Sequence, residues 1–389
     1  MAFLGNGAVN RVNLHYGVQA LAQAGGGVFF LVFLLSAGLP IPVILAVQAA
    51  VLAGRFVVRP AILPLARRWG LKPMVVIGVL IVAAQYPLLA QVHGVGGWLL
   101  AFCVTAAIGD VFYWPSYNAY FASIGDAEHR GHQVSAREAM VAAAGIVAPL
   151  LGAWALVTLG PGPMFAAAGL VQALSAIPLL GAPNVAVKAA APGALRAARL
   201  GAVLSATDGW FDAWFLIVWQ IALFVSLGQS VSAYGGAMAL AALVGAAFGL
   251  LLGRHIDAGH GRRAVAIAYA LAGAVVLLRA LSYGSPWLAV GANAVGPLVM
   301  SLMLPAHGTA SYNLAKASPC AMRFHIATEA GWDVGCASAC LVGAGLAASG
   351  APLALTLLLA LPALVLAAWL LRRYYAASLL APPLGLRPT

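Results

Sequence analysis

Residues 253–263 read GRHIDAGHGRR. Four of these eleven residues are charged, in a chain where charged residues make up only 7% of the whole, and long apolar runs flank the stretch on both sides. An ordinary soluble chain is about 45–50% apolar and about 25% charged. This one is 63% hydrophobic over 389 residues, too poor in polar side chains to cover a soluble surface. The apolar runs reach the roughly 20 residues that a helix needs to cross a hydrocarbon layer. In lipid the backbone must satisfy its own hydrogen bonds, so spans are helices or strands of a closed barrel, and the alternating ten-residue pattern of a barrel is missing. The sequence predicts an all-α polytopic membrane protein, with GRHIDAGHGRR as a connection between two spans.

Twelve spans are predicted, at roughly 16–38, 41–62, 72–92, 96–123, 132–159, 162–182, 199–226, 229–252, 262–283, 286–313, 321–349 and 351–372. The opening MAFLGNGAVNRVNLHYG lacks the apolar core and cleavage site of a signal peptide, so the first span is expected to direct insertion. Connections after even-numbered spans carry Arg67, Arg68, Lys72, Arg130, Lys188, Arg196, Arg199, Arg254, Arg262, Arg263, Lys316 and Arg323. Those after odd-numbered spans are short and carry no Lys or Arg, and only Arg279 lies towards that side. Positively charged connections stay on the cytoplasmic side. Both termini are therefore expected in the cytoplasm, in a cytoplasmic (inner) membrane. The same bias accounts for the net charge of +11 without a nucleic-acid partner. Trp98, Tyr283 and Trp287 fit an outer aromatic belt, and Tyr374 and Tyr375 an inner one. Cys103, Cys320, Cys336 and Cys340 lie in or beside spans in no CxxC pattern, which argues against disulfides and a zinc or redox motif.

The chain also repeats itself. Six spans precede GAPNVAVKAAAPGALRAARLG (181–201) and six follow it. PSYNAYFAS (115–123) and ASYNLAKAS (310–318) close spans 4 and 10, placing Ser116, Tyr117 and Asn118 opposite Ser311, Tyr312 and Asn313. Glu138 of SAREAM and Glu329 of ATEAGW then correspond. The expected units are residues 1–182, a linker over 183–198, and residues 199–389, two parallel six-helix bundles of the kind that place a transport site near the midplane.

GRHIDAGHGRR resembles the signature loop of the major facilitator superfamily, G-x-x-x-D-R-x-G-R-R/K. Gly253, Asp257, Gly261, Arg262 and Arg263 take its main positions, with one extra residue before the turn glycine and Ala258 where an Arg is usual. In the first half LPLARRWGLKP (63–73) keeps Gly70, Lys72 and Pro73, but Leu63 replaces the leading glycine and Arg67 the acid. The resemblance implies the major facilitator fold and alternating access, with Asp257, Arg262, Arg263 and Arg67 at the cytoplasmic gate. GIVAPLLGA (145–153) loosely resembles the antiporter signature of that superfamily through Pro149 and Gly152, with Ala144, Ala148 and Ala153 where glycines are usual, and tilts the reading towards export.

Ionisable groups inside spans are costly and mark function. Asp110, Asp208, Asp212, Glu329 and Asp333 lie well inside spans, Glu138 lies in the first turns of span 5 beside Arg137, and Arg55 and Arg59 sit one turn apart in span 2. Asp208 and Asp212 share a helix face that continues through Phe211, Phe215 and Trp219. Two carboxylates that close repel at low dielectric, an arrangement suited to binding a proton. Asp110 and Trp114 share a face followed by Tyr117 and Phe121, and rings beside carboxylates suit an organic cation. His325, Glu329, Asp333, Cys336 and Cys340 line one face of span 11, read as a cavity-facing polar stripe, with a metal path as the alternative.

Together these features predict a monomeric, proton-coupled exporter of an amphipathic or cationic organic compound, with no cofactor and no enzymatic site. Proton or substrate contacts are expected from Asp110, Asp208, Asp212, Glu329, Asp333, Trp114, Tyr117, Phe215, Trp219, Arg55 and Glu138. An importer of a polar or anionic nutrient, held by Arg55, Arg59 and Arg137, and a metal exporter are the alternatives.

Overall fold

The computed structural model describes residues 5–125, 130–252 and 261–380, without the side chains of 130–134, 249–252, 261, 262, 264, 304–306, 312 and 377–380. Every regular element among the described residues is helical. Among the described residues, twelve helical stretches are long and apolar enough to cross a membrane: span 1 (Gly7–Ser36), span 2 (Ile41–Trp69), span 3 (Leu71–Ala90), span 4 (Gly97–Ile124), span 5 (Ser135–Thr158), span 6 (Pro161–Leu180), span 7 (Arg199–Ser226), span 8 (Val231–Phe248), span 9 (Val265–Ser282), span 10 (Pro286–Ala317), span 11 (Ala321–Ala348) and span 12 (Leu353–Ala376).

Span 1 begins nine residues earlier than its apolar run, at Gly7 rather than 16. The reason is a cap. The Asn6 side chain accepts a hydrogen bond from the backbone N–H of Val9 at 3.1 Å, so the polar segment NRVNLHYG is wound into the first turns. Span 2 ends at Gly70, whose φ of +83° reverses the chain directly into span 3. Asn184 of the linker braces that turn, donating to the Trp69 carbonyl at 2.8 Å and accepting from the Lys72 backbone N–H at 3.1 Å. Asn184→Ala removes both bonds, which are exposed, and is expected to cost about 1 kcal/mol. Limited proteolysis of the linker should accelerate correspondingly, while the helical content stays unchanged.

The packing order repeats between the two sets of six spans. Span 1 packs on spans 5 and 6, span 2 on span 4, and span 3 on spans 4 and 6. Shifted by six, span 7 packs on 11 and 12, span 8 on 10, and span 9 on 10 and 12. Across the two sets, span 2 meets span 11 and span 5 meets span 8, which is the same pairing read from either side. At the ends whose connections lack Lys and Arg, the two sets close on each other. Tyr234 of span 8 lies edge-on to Phe29 of span 1 at 5.8 Å and donates to the Val28 carbonyl at 3.2 Å. The stretch GIVAPLLGA lies at this seam: a side chain on Gly235 would run into Ala153 and the Pro149 carbonyl. Trp98 and Trp287 stand exposed near the starts of spans 4 and 10, as belt residues would.

Candidate functional site

Near the middle of span 2, Arg55 reaches three carboxylates. Its Nη1 lies 3.2 Å from Asp110 Oδ2 of span 4, its Nη2 3.4 Å from Glu329 Oε2 and its Nε 2.9 Å from Asp333 Oδ1, both of span 11. The last contact is off the line of a hydrogen bond and acts through charge. One turn on, Arg59 donates to the other oxygen of Asp333. Asn118 Nδ2 donates to Glu329 Oε1 at 3.2 Å, and the Arg55 guanidinium lies 5.4 Å from the ring centre of Trp332. The helical spacing of four residues is what lets both pairs meet: Arg55 and Arg59 share one face, and so do Glu329 and Asp333.

The members differ in access. Asp333 is fully enclosed, whereas the side chains of Asp110 and Glu329 keep 25% and 20% of their surface. Glu329 faces a cavity of about 300 Å³ lined by Arg55 and Trp114 from the first set of spans and by Ser205, Thr328, Glu329 and Trp332 from the second. A solute there would meet a guanidinium, a carboxylate, two hydroxyls and two indoles. Asp333 would anchor the arginines from behind.

A second polar group adjoins the first through Trp332, whose indole N–H donates to Asp212 Oδ2 at 2.9 Å. One turn earlier in span 7, Asp208 Oδ2 lies 3.0 Å from His307 Nε2 of span 10, and that nitrogen also lies 2.9 Å from Ser311 Oγ. The two aspartates therefore have different partners.

The geometry is that of a charged joint between two sets of six helices. No protein-family model matches the sequence, and no curated protein sequence matches it. Among solved structures, the chain superposes on the human organic anion transporter MFSD10 (TETRAN) with a TM-score of 0.69, at 16% identity over 94% of this chain and 99% of that one. It superposes on the POT family transporter PepTSo with a TM-score of 0.69, at 13% identity over 95% of this chain and 98% of that one. The match to a POT family transporter in complex with 5-aminolevulinic acid has a TM-score of 0.67, at 10% identity over 95% and 96%. The chain has the major facilitator fold. The neighbours that share it are transporters, which are not enzymes.

Within this fold the residues singled out by sequence separate into groups. Arg55, Asp110, Glu329 and Asp333 come together, Trp114 lines the same cavity, and Asp212 touches its wall. Phe215 and Trp219 do not line it. From Asp212 onward span 7 widens to i→i+5 hydrogen bonding over Ala213–Val218, which turns the following side chains off the aspartate face. They enclose Arg279 instead, whose guanidinium lies 3.8 Å and 4.8 Å from the two ring centres. Arg279 donates to the Phe215 carbonyl at 2.5 Å, an acceptor within the widened turn, and so is 4% exposed rather than set out towards a connection. Tyr117 stacks between Tyr16 and Tyr113, away from the cavity lining, and Arg137 donates to its hydroxyl at 3.4 Å. Glu138 pairs with its neighbour Arg137 at 2.7 Å with half its side chain exposed, unlike its repeat counterpart Glu329. Of the gate residues, Asp257 and the side chain of Arg262 lie outside the described residues. Arg263 and Arg67 are exposed and form no ion pair among the described residues.

On span 11, Glu329 and Asp333 are taken up by arginines, and Cys336 and Cys340 are free, as are Cys103 and Cys320 elsewhere. No group of three His, Cys, Asp or Glu side chains converges as a metal site among the described residues. Sequence reading passed over His307, Trp332, Ser205 and Thr328. His307 carried the usual signal, an ionisable side chain inside a span. The other three did not, because an indole or hydroxyl inside an apolar helix is ordinary until a cavity is seen beside it.

Proposed function

We propose that the protein is a secondary transporter that moves a small charged organic solute by alternating access of residues 1–182 and 199–389, working as a monomer with both termini cytoplasmic in an inner membrane. The observation that carries the reading is the joint itself: Arg55 of one half held by Glu329 and Asp333 of the other, beside a cavity that both halves line. Charges buried between two moving bodies hold one state and must exchange partners to reach the next. A proton on Glu329, or a solute charge placed against it, breaks one of the ties that hold Arg55 to the other half and leaves those to Asp333 as the last to yield when the halves part.

The solute class follows from the lining. Trp114 and Trp332 offer faces, and Glu329 is the carboxylate in the lining, so an amphipathic cation or a zwitterion with an ammonium group fits, consistent with proton-coupled efflux. A second reading rests on Arg55, whose guanidinium also lines the cavity and could take a carboxylate in exchange for Glu329, as an importer of an anionic nutrient would require. Proteoliposomes with an imposed pH gradient distinguish them. Amphipathic cations should exchange for protons, whereas small carboxylates should not compete. Everted and right-side-out vesicles give the direction.

We further assign Asp208 and Asp212 to proton coupling. Asp208 lies 3.0 Å from His307 Nε2, close enough to pass a proton, and Asp212 reports to the cavity through Trp332. Asp208→Asn with Asp212→Asn should abolish gradient-driven flux and leave downhill exchange of solute within about threefold of wild type, since neither residue touches Arg55. Gradient-driven flux surviving in the double variant would remove the proton role.

A further inference from the structure

Spans 9 and 12 pack against each other yet leave an open groove of about 600 Å³ on their outer side. Its walls include Ala266, Tyr269 and Gly273 of span 9 and Leu361 and Trp369 of span 12. Gly273 keeps the floor wide: a side-chain carbon there would meet only Leu361, at 3.7 Å. Val365 and Trp369 on the rim are 71% and 48% exposed, as lipid-facing residues of a span are. No Asp or Glu lines the groove.

One end of this apolar channel is basic. Arg372 and Arg373 line it and are exposed, with the Arg373 guanidinium 4.1 Å from the ring centre of Trp369. Arg263, also exposed, lies three residues before Ala266 and so on the same face of span 9. None of the three forms an ion pair among the described residues. From Leu361 to Arg372 the helix rises roughly 16 Å at about 1.5 Å per residue. That is close to the depth of one leaflet of a hydrocarbon layer about 30 Å thick.

We propose that this groove seats an acyl chain of an anionic phospholipid whose phosphate is held by Arg372 and Arg373, with Arg263 beside them. The apolar length, the lipid-facing opening and the unpaired positive rim match such a molecule at three places. A transported solute would need a path to the cavity at Arg55, whose lining shares no residue with the groove. The assignment depends on the chain lying in a membrane and not on its transport reaction.

Native mass spectrometry of the full-length protein, released from mixed phosphatidylglycerol and phosphatidylcholine of matched chains, tests this directly. Wild type should retain phosphatidylglycerol in preference. Each basic side chain near a bilayer surface changes binding of an anionic lipid by roughly fivefold, so Arg372→Gln with Arg373→Gln should weaken retention by roughly tenfold or more. Ala270→Leu with Gly273→Leu, which fills the groove and keeps the arginines, should weaken it as well. Arg68→Gln with Arg196→Gln, which removes equal charge from exposed positions elsewhere, should leave it unchanged. Equal retention of the two lipids, or equal loss in the control, would overturn the proposal. Displacement by inorganic phosphate with no effect of filling the groove would identify a soluble phosphate site in its place.

Discussion

Arg55→Gln should abolish solute transport and lower stability by about 3 kcal/mol, the lower end of the cost of breaking a buried ion pair. The low end applies because two of its three partners, Asp110 and Glu329, keep part of their side-chain surface accessible. Asp333 has no such relief, being fully enclosed, and is left with Arg59 alone. Arg55→Lys sharpens the case. It restores the charge, but a single ammonium cannot present the fork that addresses three carboxylates on two helices. Stability should recover most of the loss while transport stays below a tenth of wild type. Thermal unfolding in detergent reads the first effect and solute counterflow in proteoliposomes the second. If both variants transported normally, the joint would be a structural ion pair and nothing more.

Gly335→Val should prevent the protein from assembling as a monodisperse species. Spans 7 and 11 approach with their backbones in contact: any side chain on Gly335 would overlap the Ala206 carbonyl, and one on Gly209 would overlap the Trp332 carbonyl. Neither obstacle is the end of a flexible side chain, so the helices themselves would have to separate. Overpacking of a rigid contact costs typically 1–3 kcal/mol and occasionally more; a backbone clash in this seam should exceed about 3 kcal/mol. The same contact places Glu329 and Asp333 opposite Arg55 and sets Trp332 beside Asp212. Gly345→Val is the control, since a side chain there meets nothing within 4 Å. Size-exclusion profiles of the two variants should differ completely; matching profiles would mean that spans 7 and 11 are free to shift.

The sequence revealed the frame because the frame is set by one-dimensional rules. Alternation of basic and uncharged connections, a span length fixed by the hydrocarbon layer and the SYN repeat at the ends of spans 4 and 10 are all read along the chain. The carboxylates and Arg55 were also legible, since their cost in lipid requires a reason. What the chain order could not disclose was pairing. Arg59 and Asp333 are 274 residues apart, and only the packing of span 2 on span 11 makes them neighbours. Extrapolation along span 7 failed for a local reason. Three- and four-residue helical steps on from Asp212 put Phe215 and Trp219 on the same stripe, but the widened turn at Ala213–Val218 breaks the period and Arg279 claims both rings. Glu138 and Glu329 match in the repeat yet differ in use, because an arginine faces only Glu329 across the seam, whereas Glu138 finds its own neighbour Arg137.

The central claim is that the two halves exchange states by breaking the Arg55 joint. Spin labels at Ser36→Cys, the end of span 1, and Ser232→Cys, at the start of span 8, sit on opposite halves at the ends closed by Phe29 and Tyr234. Pulsed dipolar spectroscopy in nanodiscs should resolve a short and a long distance population for the wild-type pair. The long population should grow when the buffer is acidified and the carboxylates release Arg55, and Arg55→Gln should remove that dependence on acid. A single distance distribution, unchanged by acid and identical in wild type and Arg55→Gln, would contradict the account.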